Sequence, residues 1–205
     1  MDVLIVVLFA ITLIYLSVTE RFSIYTNLIG TQGLLLFFLA FSEMEKITLM
    51  NLLFITTETL VFKVLVVPYL LYRIIGKTGI EKVHQKSMPG LYSLLFVSLG
   101  LILSIIISHS LHTTTINMIY FIVAFFSIYT GLFLIITHKK IFSHLIGFLV
   151  LENAVLLLSL AIGSQMPMLI NIGILLDIFV SVLILGIFMM RLKQSAHQLT
   201  MLKDD

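Results

Sequence analysis

Between Leu34 and Phe41 the chain reads Leu-Leu-Leu-Phe-Phe-Leu-Ala-Phe, apolar on every side of whatever it folds into. Similar runs recur along the whole sequence. Many approach or exceed about 20 residues, the length an α-helix needs to cross roughly 30 Å of hydrocarbon. A membrane barrel would alternate apolar and polar residues, and these runs do not. Lipid offers the backbone no hydrogen-bond partner, so each span must satisfy its own N–H and C=O groups as a helix. A content of 60% hydrophobic and 11% charged residues over 205 positions also lies outside the range of soluble globular domains.

Hydropathy predicts an all-α polytopic transmembrane bundle of about seven helices, at about 3–18, 22–42, 49–74, 89–110, 115–137, 141–163 and 167–191. The first opens Met1-Asp2 and ends Ser17-Val18-Thr19-Glu20, without a basic n-region or a small-residue cleavage site, and reads as a retained helix. Seven spans put Arg21, Arg73, Lys77, Lys82, Lys86, Lys139, Lys140, Arg191, Lys193 and Lys203 on one side and Lys46 on the other, with Lys63 inside a span. Positive residues collect in cytoplasmic loops, so this division predicts an external N-terminus and a cytoplasmic C-terminus. Adding or removing one helix would scatter the charges over both faces. The chain reads as a single transmembrane domain, 1–205, made of four N-terminal helices (1–111) and a C-terminal three-helix unit (112–205). The segment Ile75 to Ser87 is the longest polar loop and is too short for a soluble domain. Asn27-Leu28-Ile29-Gly30 and His144-Leu145-Ile146-Gly147 each open a span, a faint repeat for which chance is the simpler explanation.

The absence of cysteine excludes disulfides and thiolate-held iron-sulfur, nickel-iron or structural zinc centres within this chain. No cofactor and no metal site is expected in it, and redox chemistry would belong to a partner. A net charge of +2 with dispersed basic residues gives no nucleic-acid footprint. His109 and His112 share an i, i+3 spacing but fall where a span meets the surface, so interfacial anchoring outweighs metal ligation.

Four ionisable residues lie inside predicted spans: Glu58 and Lys63 in the third, Glu152 in the sixth and Asp177 in the seventh. A charge at a helix centre costs about 2.5–3.5 kcal/mol on the insertion scale, so such residues are paired, internally solvated or functional. Only Ser164, Gln165 and Met166 join the last two spans, which predicts a hairpin with Glu152 and Asp177 both roughly 15 Å deep. Gly173, one turn from Asp177, would allow close helix approach or a water molecule. Lys63 lies at a similar depth, and Pro68 five residues on is expected to kink its helix. On an α-helix Glu58 and Lys63 would be about 140° apart, poorly placed to neutralise one another. His144 stands two turns before Glu152, as either an inward proton relay or an interfacial anchor. The alternative for the whole set is a structural ion-pair network that locks the bundle.

Three stretches, Phe62-Lys63-Val64-Leu65-Val66-Val67-Pro68, Ile146-Gly147-Phe148-Leu149-Val150-Leu151-Glu152-Asn153-Ala154 and Asn171-Ile172-Gly173-Ile174-Leu175-Leu176-Asp177, resemble component E of hydrogenase-4. The likeness covers most of the chain. It implies a membrane subunit of an energy-converting nickel-iron hydrogenase or formate hydrogenlyase-type complex in a prokaryotic cytoplasmic membrane. The C-terminal three helices also resemble the K subunit of respiratory complex I and the C subunit of multi-subunit cation/proton antiporters. That likeness gives Glu152 and Asp177 the part of paired membrane carboxylates, with Glu152 displaced by about a turn because it directly precedes Asn153-Ala154. The implied partners are antiporter-like membrane subunits, a peripheral redox arm and the lipid bilayer. An antiporter subunit without a redox arm, an independent carrier and a structural scaffold are the other readings the residues allow.

Overall fold

The computed structural model describes residues 2–43, 53, 56–78, 89–111, 116–138 and 141–162. The predicted seventh span, with Asp177 and Gly173, lies outside the described residues, as does His112. Every regular element among the described residues is helical: α1 (Asp2–Val18), α2 (Phe22–Ser42), a π-helix (Thr56–Val66) running directly into α3 (Val67–Thr78), α4 (Gly90–Ser110), α5 (Met118–Thr137) and α6 (Ile141–Ile162). Four of them, α2, α4, α5 and α6, are long and apolar enough to cross a membrane, and α1 is a shorter apolar helix.

The third predicted span differs most from expectation. Instead of an α-helix over 49–74 kinked at its proline, the chain forms eleven residues in the i→i+5 register and then twelve in the α register. The physical reason is local. Pro68 has no N–H, and in an α-helix its ring would strike the carbonyl of Val64. A wider turn just before the proline separates the two groups, the way π-segments are used inside helices.

Cross-helix contacts show which ends lie together. Phe22 and Phe142 meet edge to face with ring centroids 4.3 Å apart, so α2 and α6 start side by side. Tyr72 donates to Asn27 Oδ1 at 2.6 Å, bringing the far part of α3 to the same end. At the other end Ser108 donates to Met118 Sδ at 3.3 Å, and the Asn117 N–H to the Ala161 carbonyl at 2.9 Å. The helices therefore run antiparallel in sequence order between two common ends. Arg21 and Arg73 belong to the first end and Asp2 and Glu43 to the second.

Glycine sets the closest approaches. A methyl group on Gly131 would stand 2.9 Å from the Gly147 carbonyl, and one on Gly147 would stand 2.9 Å from the Gly131 carbonyl. The backbones of α5 and α6 thus touch reciprocally, as membrane helices do where small residues face each other. A methyl group on Gly33 would lie 2.8 Å from Lys63 Cβ, so the π-helix rests directly on α2.

One helix, α4, has most of its large apolar residues outside. On α4 the buried stripe is Ser93, Val97, Gly100, Ser104 and Ser108, whereas Leu95, Ile102 and Ile106 face outward, each more than half exposed. Small and hydroxylic groups turn inward and large aliphatics outward because the surroundings are hydrocarbon.

Candidate functional site

Near the middle of the bundle four helices each contribute one polar side chain to a continuous line. The π-helix supplies Lys63, 4% exposed; α6 supplies Asn153, 3% exposed; α2 supplies Gln32, fully buried; and α1 supplies the partly buried Thr12. Lys63 Nζ donates to Asn153 Oδ1 at 3.0 Å. Asn153 Nδ2 donates to Gln32 Oε1 at 3.1 Å, and Gln32 Nε2 to Thr12 Oγ1 at 3.0 Å. The Thr12 hydroxyl then donates to the Phe9 carbonyl at 2.6 Å. Gln32 is ten residues into α2, roughly 15 Å from its start, so the line crosses the bundle at mid-span.

Local sequence positions each member. Gln32 precedes Gly33, so one turn of α2 carries both the amide and the gap into which the Lys63 backbone fits. Three residues earlier on α2, Gly30 receives the Pro68 ring, 3.1 Å from where its Cβ would be. Asn153 sits on the α6 face that meets α2, one turn beyond Val150, whose carbonyl accepts from Ser127 of α5 at 3.2 Å. Beside Asn153 in the chain is Glu152, 6% exposed and engaged in interactions of its own.

The expected site residues therefore divide. Lys63 and Glu152 are both buried within the bundle, and Lys63 meets the residue next to Glu152. Glu58 belongs to the π-helix, and its side chain lies outside the described residues. The 140° separation from Lys63 does not apply there, because positions 58 and 63 stand one i→i+5 turn apart along the backbone. His144 is engaged at the α5–α6 turn, where its Nε2 lies 2.6 Å from the His138 carbonyl. A carbonyl only accepts, so Nε2 carries hydrogen and the ring ties the start of α6 to the end of α5. Pro68 marks the junction of the π and α registers.

Three members of the line, Thr12, Gln32 and Asn153, were not singled out as site residues by sequence reasoning. Gln32 had a signal: it is a neutral amide inside a span that is otherwise mostly apolar. His138 was missed as well; it is buried at the end of α5, with Nδ1 3.0 Å from Thr137 Oγ1 and 3.1 Å from the Leu134 carbonyl. Among the described residues no three His, Asp or Glu side chains converge as metal donors. Comparison of the chain with protein-family models, curated proteins and solved structures finds no match.

Proposed function

We propose that the chain is a non-catalytic membrane subunit of a redox-driven, ion-pumping complex of the hydrogenase-4 type, in which buried ionisable groups at mid-span carry or couple proton or sodium movement. In this reading it sits between antiporter-like subunits and a peripheral nickel-iron hydrogenase-like arm, in a prokaryotic cytoplasmic membrane. The observation that carries it is Lys63, 4% exposed, held by an α6 residue whose immediate neighbour is the buried carboxylate Glu152. Burying an amine and a carboxylate at this depth is costly, and such groups in membranes mark ion paths and coupling elements. Arg21 and Arg73 at the first end favour placing that end in the cytoplasm and the N-terminus outside. The seventh span expected from hydropathy would bring Asp177 to the depth of Glu152 in this reading.

Replacing Glu152 by Gln and Asp177 by Asn in the assembled complex tests the proposal. Ion pumping should fall by an order of magnitude or more while electron transfer continues; normal pumping in both variants would remove the role. A scaffold is the second reading, favoured by the fact that one hydrogen-bonded line ties together α1, α2, α6 and the π-helix. It predicts less assembled complex in these variants and unchanged pumping per complex.

A further inference from the structure

The line from Lys63 to Phe9 runs in one direction only, and its ends explain why. An ammonium has hydrogens to give and no lone pair to accept with, so Asn153 must turn its oxygen toward Lys63. Its NH₂ group is then left for Gln32, which must present Oε1 in return. The Gln32 NH₂ faces Thr12, whose hydroxyl accepts there and has its single hydrogen free for the Phe9 carbonyl. All four bonds point away from the charge. Aligned bonds of this kind polarise one another in a low-dielectric interior.

We infer that Thr12, Gln32 and Asn153 form a one-way hydrogen-bond relay whose direction is set by the Lys63 ammonium, so that α1 senses the state of a residue on the π-helix that Thr12 does not touch. Gln32 and Asn153 are positioning residues for Lys63, and Thr12 acts through both. The relay deepens the ion-handling reading of Lys63, on which its biological use rests. Its direction, however, is a property of the folded chain and is measured without any pumping.

The sequence provides an isolated reporter at the far end, because Phe9-Ala10 is the only Phe-Ala step in the chain. Labelling phenylalanine with ¹³C at the carbonyl and alanine with ¹⁵N therefore selects the Phe9 carbonyl by NMR, in the full-length chain in lipid nanodiscs. Thr12→Val, which removes the hydroxyl, calibrates the upfield movement that marks loss of this bond. Asn153→Asp keeps the volume but leaves an acceptor with nothing to donate. Gln32 must then turn its NH₂ toward residue 153 and its oxygen toward Thr12, and the hydroxyl must leave Phe9. The expected result is a Phe9 resonance moved upfield to the Thr12→Val position. An unmoved resonance in Asn153→Asp overturns the relay. Lys63→Met is the second arm: without the ammonium the direction is no longer imposed, and the Phe9 signal is expected to split or shift, whereas a sharp signal at the wild-type position overturns the inference. Pumping by the Asn153→Asp complex is read separately. A shifted Phe9 signal with normal pumping would keep the relay and remove its link to ion movement.

Discussion

An ammonium group in hydrocarbon persists only if its hydrogens find oxygen, and for Lys63 one such oxygen is Asn153 Oδ1 at 3.0 Å. Asn153→Leu removes that acceptor and also leaves Gln32 without its donor. Hydrogen bonds to charged groups contribute about 1.5–3 kcal/mol, and a destabilisation of that size is expected in reversible unfolding of the reconstituted chain. Thr12→Val removes a neutral link, for which membrane double-mutant cycles suggest about 0.6 kcal/mol, while Thr12→Ser should restore wild-type stability. Equal losses for Asn153→Leu and Thr12→Val would mean that charge plays no part in the line. At this scale the sequence was half legible. Lys63 and Glu152 stand out as charges among apolar residues, whereas Thr12 and Gln32 acquire meaning only once helix rotation brings them together, which hydropathy does not encode.

At the scale of elements the decisive features are a paired glycine contact and a change of helical register. Gly131→Ala or Gly147→Ala puts a methyl group 2.9 Å from a backbone carbonyl on the facing helix. Because backbone cannot swing aside as a flexible side chain can, each should cost about 1–3 kcal/mol, read as a lower unfolding midpoint in detergent. An unchanged midpoint would show that α5 and α6 do not meet through these glycines. The π-helix gives a second expectation. Pro68→Ala supplies the missing N–H and removes the ring, so the register before it is free to become α-helical. That change would rotate Lys63 away from Asn153, and the Phe9 carbonyl reporter should move as it does in Lys63→Met; a wild-type signal would show that Pro68 does not hold the register. Five of the seven expected spans match described helices to within about three residues because hydrophobic run length alone sets them. The register change was hidden, since periodicity arguments assume 3.6 residues per turn and the effect of Pro68 depends on what packs beside it.

Across the described residues, large aliphatics both fill the core and cover the outside, and buried hydroxyl and amide groups lie between the helices, an arrangement suited to hydrocarbon surroundings. The absence of cysteine makes topology directly testable with single introduced thiols. Cysteines at positions 20 and 139 should label with a membrane-impermeant reagent from the same side, and a cysteine at position 43 from the opposite side. Labelling of all three from one side would dismantle the arrangement of ends. The basic residues give an expected sidedness because only their positions between spans enter it, and the thiol labelling tests it. The partners of the buried charges were not legible in the sequence, since they depend on which face each rod presents to its neighbours.

The reciprocal contact of Gly131 and Gly147 bears on where movement can arise. Two rods joined backbone to backbone, with His144 fastened to the carbonyl at their turn, behave as one strut, and Asn153 keeps a fixed address upon it. The widened turns that carry Lys63 close onto α2 at Gly33, in a register that this strut does not share. If the lysine and its amide ever part, a return of those turns to the α register is the movement that parts them.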